Sequence, residues 1–317
     1  TRILEIPAIV LPETHASAHV FGESTFDGLF AEPVPITALV GDSHSALFGE
    51  RCFLPGEAKA TLGTGSSILI NAGKSVPPLG PTAMSTVGFG VPGGTHYALE
   101  GIVVSAGSIL TWLGGNLGFF DDASEIASIV AEVDSAGGVV IVPAHAGLGA
   151  PFWKMDARGS VTGLTFGTTR AHILRAALES IPYQIRAILD AVKEESGTHC
   201  SRIRADGGIS KNEFVVRWLA STLRIPVHTM ETADVTGLGA ALLAGLGAGI
   251  FSGLDEISQL PIAETVWEPE DSVEDGSATA DKNAEHPALA GYRQWHAEVL
   301  RSTTPPHGFS LDSKTNE

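Results

Sequence analysis

The stretch RIRADGGISKNEFVVRWLASTLRIPVH, residues 202–228, contains the pattern that decides the fold. Its first residues predict a strand near 202–205, after which Asp206–Gly207–Gly208 turn the chain into a helix at 211–223. A second strand is predicted at 225–228. Strands that alternate with helices indicate an α/β domain with a largely parallel sheet.

The same alternation extends on both sides of this stretch. Upstream, Ile36–Val40 is a short apolar run that predicts a buried strand with Asp42 at its tip, followed by a helix that Ser43 would cap. The strongest helical pattern covers about 170–195, where Pro182 predicts a kink or a junction between two helices. The other predicted elements are a hairpin at 58–70, helices at 105–117, 121–133, 235–250 and 286–301, and strands at 139–142 and 160–165.

Composition limits the kinds of partner. The chain has 317 residues and a net charge of −17, with 36 acidic against 19 basic side chains, so it repels nucleic-acid phosphates. No apolar run reaches the roughly 18 residues needed to span a bilayer. Cys52 and Cys200 have no metal-binding spacing, and we expect reduced thiols in a cytoplasmic protein.

Several residues at predicted strand ends and turns could carry chemistry, and each has a structural alternative. Asp42 could accept a proton from a hydroxyl or cap the next helix. Gly63–Thr64–Gly65 could bind a phosphate or form an ordinary hairpin turn. The turn Asp206–Gly208 precedes a helix whose N-terminus favours anions. No histidine pair has the spacing of a metal site, so we assign no protein metal ligands.

Taken in order, these pieces resemble the C-terminal domain of the FGGY carbohydrate kinases, and most closely the glycerol kinase branch. The resemblance covers about residues 1–260. The matching segments are Gly41–Gly49 (GDSHSALFG), Thr61–Gly65 (TLGTG), Ala98–Gly101 (ALEG), Val142–Ala144 (VPA), Gly147–Trp153 (GLGAPFW), Ala157–Gly159 (ARG), and Asp206–Gly208 with Asn212. The segment Gly159–Glu179 also fits the family's second signature pattern, through Gly163–Leu164, His172–Ile173 and Ala176–Glu179.

The resemblance implies an α/β fold of the actin-like (ribonuclease-H-like) ATPase class, the C-terminal half of a two-domain sugar kinase. It implies ATP-dependent phosphorylation of a hydroxyl on a small polyol or ketose, with Asp42 as the general base and Mg²⁺ held by phosphate oxygens and water. The nucleotide-binding residues would be Gly63, Thr64, Gly65, Gly107, Thr111, Gly207, Gly208 and Asn212, and those facing the sugar would be Asp42, Ser43 and Ser67.

Three positions depart from the glycerol kinase pattern. Ser43 stands where that branch has glutamine, Ser67 where it has an aromatic residue, and Thr111 where it has glutamine. Smaller, polar residues near the sugar favour a substrate other than glycerol, such as a larger polyol or a ketose.

The family's first phosphate loop, Asp-x-Gly-Thr-Ser/Thr, is absent from this sequence. We therefore predict three segments: a tail and linker at 1–35 leading from an N-terminal kinase domain, the ATP-binding domain at 36–260, and an acidic loop with a C-terminal helix at 261–317. The partner domain would come from the same gene or a separate chain, and a homo-oligomer is compatible with the sequence. The alternative is a catalytically silent nucleotide-binding or scaffold module with the same fold.

Overall fold

Strands and helices alternate through most of the protein. The computed structural model describes residues 11–78, 80–270 and 286–303. Its strands are β1 (Ala18–Ser24), β2 (Val34–Ala38), β3 (Glu57–Leu62), β4 (Ser66–Gly73), β5 (Met84–Val91), β6 (Gly94–Val103), β7 (Val140–Val142), β8 (Ser160–Thr162), β9 (Arg202–Asp206), β10 (Val227–Met230) and β11 (Glu264–Trp267). Its α-helices are α1 (Asp42–Gly49), α2 (Gly107–Gly115), α3 (Ile126–Val130), α4 (Arg170–Ser196), α5 (Glu213–Leu223), α6 (Val235–Gly247), α7 (Leu254–Ser258) and α8 (Pro287–Thr303).

A seven-stranded sheet with the order β11-β10-β9-β3-β4-β6-β5 forms the centre. Only β10, β9 and β3 run parallel to one another, and the other neighbours are antiparallel. The prediction of a largely parallel sheet is therefore wrong. The reason is that β3–β4 and β5–β6 are hairpins, whose short turns reverse the chain, whereas parallel neighbours need long crossovers.

The N-terminal part differs from the prediction. Residues 18–24, expected to be loop, form β1, which pairs with β2 in a separate two-stranded sheet. The predicted buried strand at 36–40 ends instead at Ala38, and Ile36 is exposed. A polar contact joins β2 to α6, in which the Thr37 hydroxyl donates to Ala244 O at 2.8 Å. The weak apolar alternation of AHVFGES explains why the sequence did not predict β1.

The long helix α4 covers one face of the central sheet. Its apolar side chains at Ile181, Ile185, Ile188 and Val192 belong to the same buried cluster as residues from β3, β4 and β9. Pro182 lies inside this single helix, so the predicted alternative of two helices with a junction is wrong. None of the helices in the described ranges is both long and apolar enough to cross a bilayer.

The short helix α1 packs closely against α6. A Cβ atom added at Gly239 would lie 1.8 Å from Ser45 O, and one at Gly49 would lie 2.3 Å from Val235 O. The Ser45 hydroxyl also donates to Thr236 O at 2.7 Å. Backbone-to-backbone contact of this kind requires glycine, and it fixes the direction in which α1 begins.

Candidate active site

The turn Gly63–Gly65 joins β3 to β4 and lies against the start of α2. Gly107 N donates to Gly63 O at 2.9 Å, and Ala106 N donates to Thr64 O at 2.9 Å. A Cβ atom added at Gly107 would lie 2.8 Å from Gly63 O, closer than real Cβ atoms approach. Glycine at position 107 therefore lets the helix begin directly against the turn, with Thr64 left exposed.

The second glycine turn lies beside the first. Strand β9 runs parallel to β3 with Asp206 opposite Thr61, so both strands end at the same edge of the sheet. Gly207 has φ +89°, and a Cβ atom there would lie 2.5 Å from Leu62 O. The two turns, far apart in the sequence, form one surface because neighbouring parallel strands end together.

A pocket of about 850 Å³ opens next to these turns. Gly208, Ile209 and Asn212 line it. Ile209 also lies close to the start of α2, since its Cδ1 would be 3.0 Å from a Cβ atom added at Gly107. Asn212 also caps α5, because its Oδ1 accepts from Val215 N at 3.2 Å. The remaining walls are mostly apolar and come from Leu110, Ala123, Ser124, Ile126, Ala127, Val130, Ala131, Arg175, Leu178, Lys211, Glu213 and Phe214.

Of the predicted nucleotide-binding residues, Gly208 and Asn212 line this pocket, and Thr111 does not. It is exposed one turn along α2, and its hydroxyl donates to Gly107 O at 3.4 Å. The residue before it, Leu110, lines the pocket instead. The four-residue spacing of Gly107 and Thr111 places them on one face of α2, but spacing alone does not tell whether Thr111 or its neighbour Leu110 lines the pocket.

Asp42 is the first residue of α1 and is exposed to solvent. The N-cap is Gly41, and no side chain caps the helix, so the predicted cap at Ser43 is wrong. Asp42 Oδ1 accepts from Ser43 N at 2.6 Å. Because Asp42 is not the N-cap, the alternative that it serves only to cap α1 loses its main support. A carboxylate here can accept a proton from a hydroxyl group.

A buried lysine, which the sequence analysis missed, lies among the candidate residues. Lys59 is fully buried on β3, and its Nζ donates to Thr61 Oγ1 at 2.9 Å and to Ser67 Oγ at 3.5 Å. Ser67 Oγ in turn donates to Glu100 Oε1 at 3.2 Å, so its hydroxyl belongs to a partly buried network. The detectable signal was a lysine between two alanines in a strand, two residues before Thr61.

Four carboxylates act electrostatically on Lys59. Burial lowers the pKa of Lys59, and the negative charges of Asp206, Glu50, Glu100 and Asp42 act in the opposite direction. These charges include both Asp42 and Asp206, so the start of α1 and the end of β9 are within electrostatic reach of one ammonium group.

Glu50 and Asp206 carry buried oxygens without partners. Within the described residues, both Glu50 carboxylate oxygens and Asp206 Oδ1 lack a hydrogen bond. Burial, followed by the charge of Asp206, raises the pKa of Glu50 well above its usual value.

Comparison with known proteins gives consistent matches. The model for the FGGY family of carbohydrate kinases, C-terminal domain, matches residues 58–248. Glycerol kinase from Xanthomonas axonopodis pv. citri is 41% identical over 267 residues, which cover 84% of this chain and 54% of that protein. Glycerol kinase from Bacillus subtilis is 41% identical over 268 residues, with the same two coverages. The chain thus spans about half the length of these curated relatives.

Solved structures agree on the fold. Plasmodium falciparum glycerol kinase with ADP superposes with a TM-score of 0.82 at 34% identity, over 94% of this chain and 57% of that one. A ligand-bound xylulose kinase from Lactobacillus acidophilus superposes with a TM-score of 0.78 at 20% identity, over 95% of this chain and 58% of that one. The predicted actin-like α/β fold is confirmed.

Proposed function

Because the chain belongs to the FGGY family of carbohydrate kinases, whose C-terminal domain it contains, we propose that it forms the nucleotide-binding part of a sugar or polyol kinase. The reaction would transfer a phosphoryl group from ATP to a hydroxyl of a small polyol or ketose. The observation that carries this proposal is the meeting of two glycine turns and a helix start beside an 850 Å³ pocket. Phosphoryl transfer depends mainly on positioning and charge stabilisation, which such a surface supplies.

In this proposal the turn Gly63–Gly65 holds the ATP phosphates, where its backbone and the exposed Thr64 hydroxyl can donate to phosphate oxygens. Gly107 keeps the turn against α2, so it acts through the turn's position. Gly207 and Gly208 allow the chain to approach the nucleotide closely, and Asn212 binds the adenosine part. Thr111 is exposed and does not line the pocket. In this proposal it contacts the bound nucleotide from outside the pocket wall.

Asp42 is the proposed general base, which accepts the proton of the attacking hydroxyl as the phosphorus–oxygen bond forms. Ser43 and Ser67 would lie on the sugar side. Two small hydroxyl side chains leave room there, which favours a polyol larger than glycerol or a ketose. Since Ser67 binds Lys59 and Glu100, its hydroxyl would act on the sugar through this network or after rearrangement.

Magnesium fits the proposed site as an ion bound mainly to phosphate oxygens and water. In the described ranges no group of three or more acidic, histidine or cysteine side chains could hold a metal by itself. Asp206 Oδ1, buried and without a partner among the described residues, is suited to accept a hydrogen bond from a magnesium-bound water. When bound, the ion would neutralise phosphate charge during transfer.

We also propose that residues 36–260 act as the ATP-binding domain and that catalysis needs a second kinase domain to supply the other side of the site. Asp42, Thr64, Gly207 and Gly208 are all exposed, as expected for residues that another domain and a ligand cover. The alternative of a silent nucleotide-binding or scaffold module predicts the same exposed surface. Activity measurements separate the two.

Binding of magnesium-ATP to the chain tests the nucleotide site. We expect a Gly107→Ala variant to lose at least about tenfold in affinity, because the new Cβ would displace Gly63 O and shift the phosphate turn. The measurement is titration with a fluorescent ATP analogue, and circular dichroism checks the fold.

Gly115→Ala is the matched control on the same helix, since a Cβ atom there meets nothing within 4 Å. It should bind ATP as the unchanged protein does. Equal affinities for both variants, or no ATP binding by the unchanged chain, would count against the proposed nucleotide site.

A further inference from the structure

A second pocket, of about 610 Å³, lies at the end of the sheet opposite to the candidate active site. Its lining includes the first residues of β3 and β9, Glu57 and Arg202, whereas the glycine turns follow the ends of these strands. We call it the basic pocket, defined by Arg51, Lys74, His96, Arg202 and Arg204. Nothing in the proposed kinase reaction uses these residues.

The charge of the basic pocket contrasts with that of the protein. Its lining has four permanently charged cations against two carboxylates, Glu57 and Asp255, which leaves an excess of two positive charges in a chain of net charge −17. Glu264, which is not part of the lining, binds Arg204 at 3.1 Å. Even when Glu264 is counted, one positive charge remains in excess. A concave, positively charged surface concentrates anions.

Two of these cationic side chains are buried close together. Arg51 and Arg204 are 7% and 3% exposed. Burial, and then the charge of Arg204, lower the pKa of Arg51, and the charge of Glu264 partly opposes them. The guanidinium group of Arg51 donates only to neutral acceptors in the described structure, Leu260 O and Pro261 O. Like charges buried side by side are costly unless an anion compensates them.

Polar atoms on the lining residues also lack partners. Arg51 Nε and His96 Nδ1 are both buried and form no hydrogen bond within the described part of the chain. Lys74 is exposed at the rim, where its Nζ donates to Gly93 O at 3.2 Å. Lys74 and His96 line the same pocket, and burial, followed by the charge of Lys74, lowers the pKa of His96. The lining therefore contains guanidinium, imidazole and ammonium groups.

We propose that the basic pocket is a binding site for a small phosphate-bearing anion, separate from the nucleotide site. Arginine pairs bind phosphate oxygens through several parallel N–H donors, and a lysine adds a mobile point charge. The volume accommodates a phosphate monoester with a short carbon chain. Arg204 also donates to Glu50 O, so the pocket contacts the residue whose carboxyl group lies near Lys59 and Asp206.

Equilibrium dialysis of radiolabelled inorganic phosphate against the full chain tests this proposal. Saturating magnesium-ADP is included so that phosphate cannot occupy the nucleotide site. We expect about one equivalent of phosphate to remain bound. Lys74→Gln should weaken binding about tenfold or more, because it removes a charged donor, while Lys74→Arg should retain most of it. Lys74 is exposed, so neither change should affect folding.

Arg301→Gln is the charge-matched control, since Arg301 is exposed on α8 and pairs with Glu298. It should bind phosphate normally. The proposal is overturned if magnesium-ADP abolishes phosphate binding, if Lys74→Gln and Arg301→Gln bind phosphate equally well, or if malonate binds more tightly than phosphate. The last result would assign the pocket to dicarboxylates.

Discussion

An Asp42→Asn enzyme is expected to lose about 10⁴-fold or more in turnover while it binds ATP normally. General-base assistance contributes about 10² to 10⁴ in rate, and this aspartate would also orient the attacking hydroxyl. ATP affinity should change little, because in the proposed mechanism the carboxylate acts on the sugar and not on the nucleotide. The melting temperature should also change little, since Gly41 and not Asp42 is the N-cap of α1.

In line with the proposed second domain, the assay uses the chain combined with an N-terminal kinase domain, supplied by the chain's own gene or by the corresponding half of a glycerol kinase. Turnover, ATP affinity and thermal unfolding are measured on the same preparations. The 317-residue chain alone should show no phosphorylation above background. Activity of the chain alone towards any polyol would contradict the need for a second domain.

Asp234→Ala provides a control for effects on stability. Asp234 is the N-cap of α6, where its side chain accepts from Gly237 N at 2.7 Å. Its removal should cost about 1 kcal/mol of folding free energy and leave turnover per folded molecule unchanged. If Asp42→Asn behaves in the same way, melting early but turning over normally, Asp42 has a structural role only.

Gly239→Ala is expected to destabilise the chain by at least about 2 kcal/mol, although alanine is the better helix former by about 1 kcal/mol. The added Cβ would lie 1.8 Å from Ser45 O, so α1 and α6 must move apart. Thermal unfolding should show a melting temperature lower by roughly 4–8 °C. Because α1 begins with Asp42, turnover of the completed enzyme should also fall.

Gly115→Ala is the matched control, because it makes the same replacement within a helix where a Cβ atom has no neighbour within 4 Å. Its melting temperature should stay the same or rise slightly, as helix propensity alone predicts. If Gly239→Ala is as stable as Gly115→Ala, the two helices are not held by backbone contact at Gly239.

Local patterns were sufficient for several elements. The hairpin β3–β4 followed from two apolar runs separated by Gly63–Gly65, and α4 followed from its helical period. The unit from β9 to β10 was predicted within two residues at each boundary. These segments are specified by neighbours along the chain, so short-range periodicity and turn chemistry contain the necessary information.

Other elements were not accessible to the same reasoning. The hairpin β5–β6 was not predicted, and neither was β11 at the sheet edge. Their residues are specified by strands far away in the sequence: β6 pairs with β4, and β11 pairs with β10. Strand propensity depends strongly on such cross-strand packing, and a single sequence does not reveal it.

The sequence by itself determined the α/β class, the glycine turns and the resemblance to a kinase family, because each rests on residues that are close together along the chain. Only the tertiary structure decided the mixed direction of the sheet, the contact between Gly107 and Gly63, and the burial of Lys59 among four carboxylates. It also decided that Leu110 rather than Thr111 lines the pocket. The physical reason is that sheet order and burial depend on pairing between distant segments, and the charge of a buried group depends on the neighbours that this pairing provides.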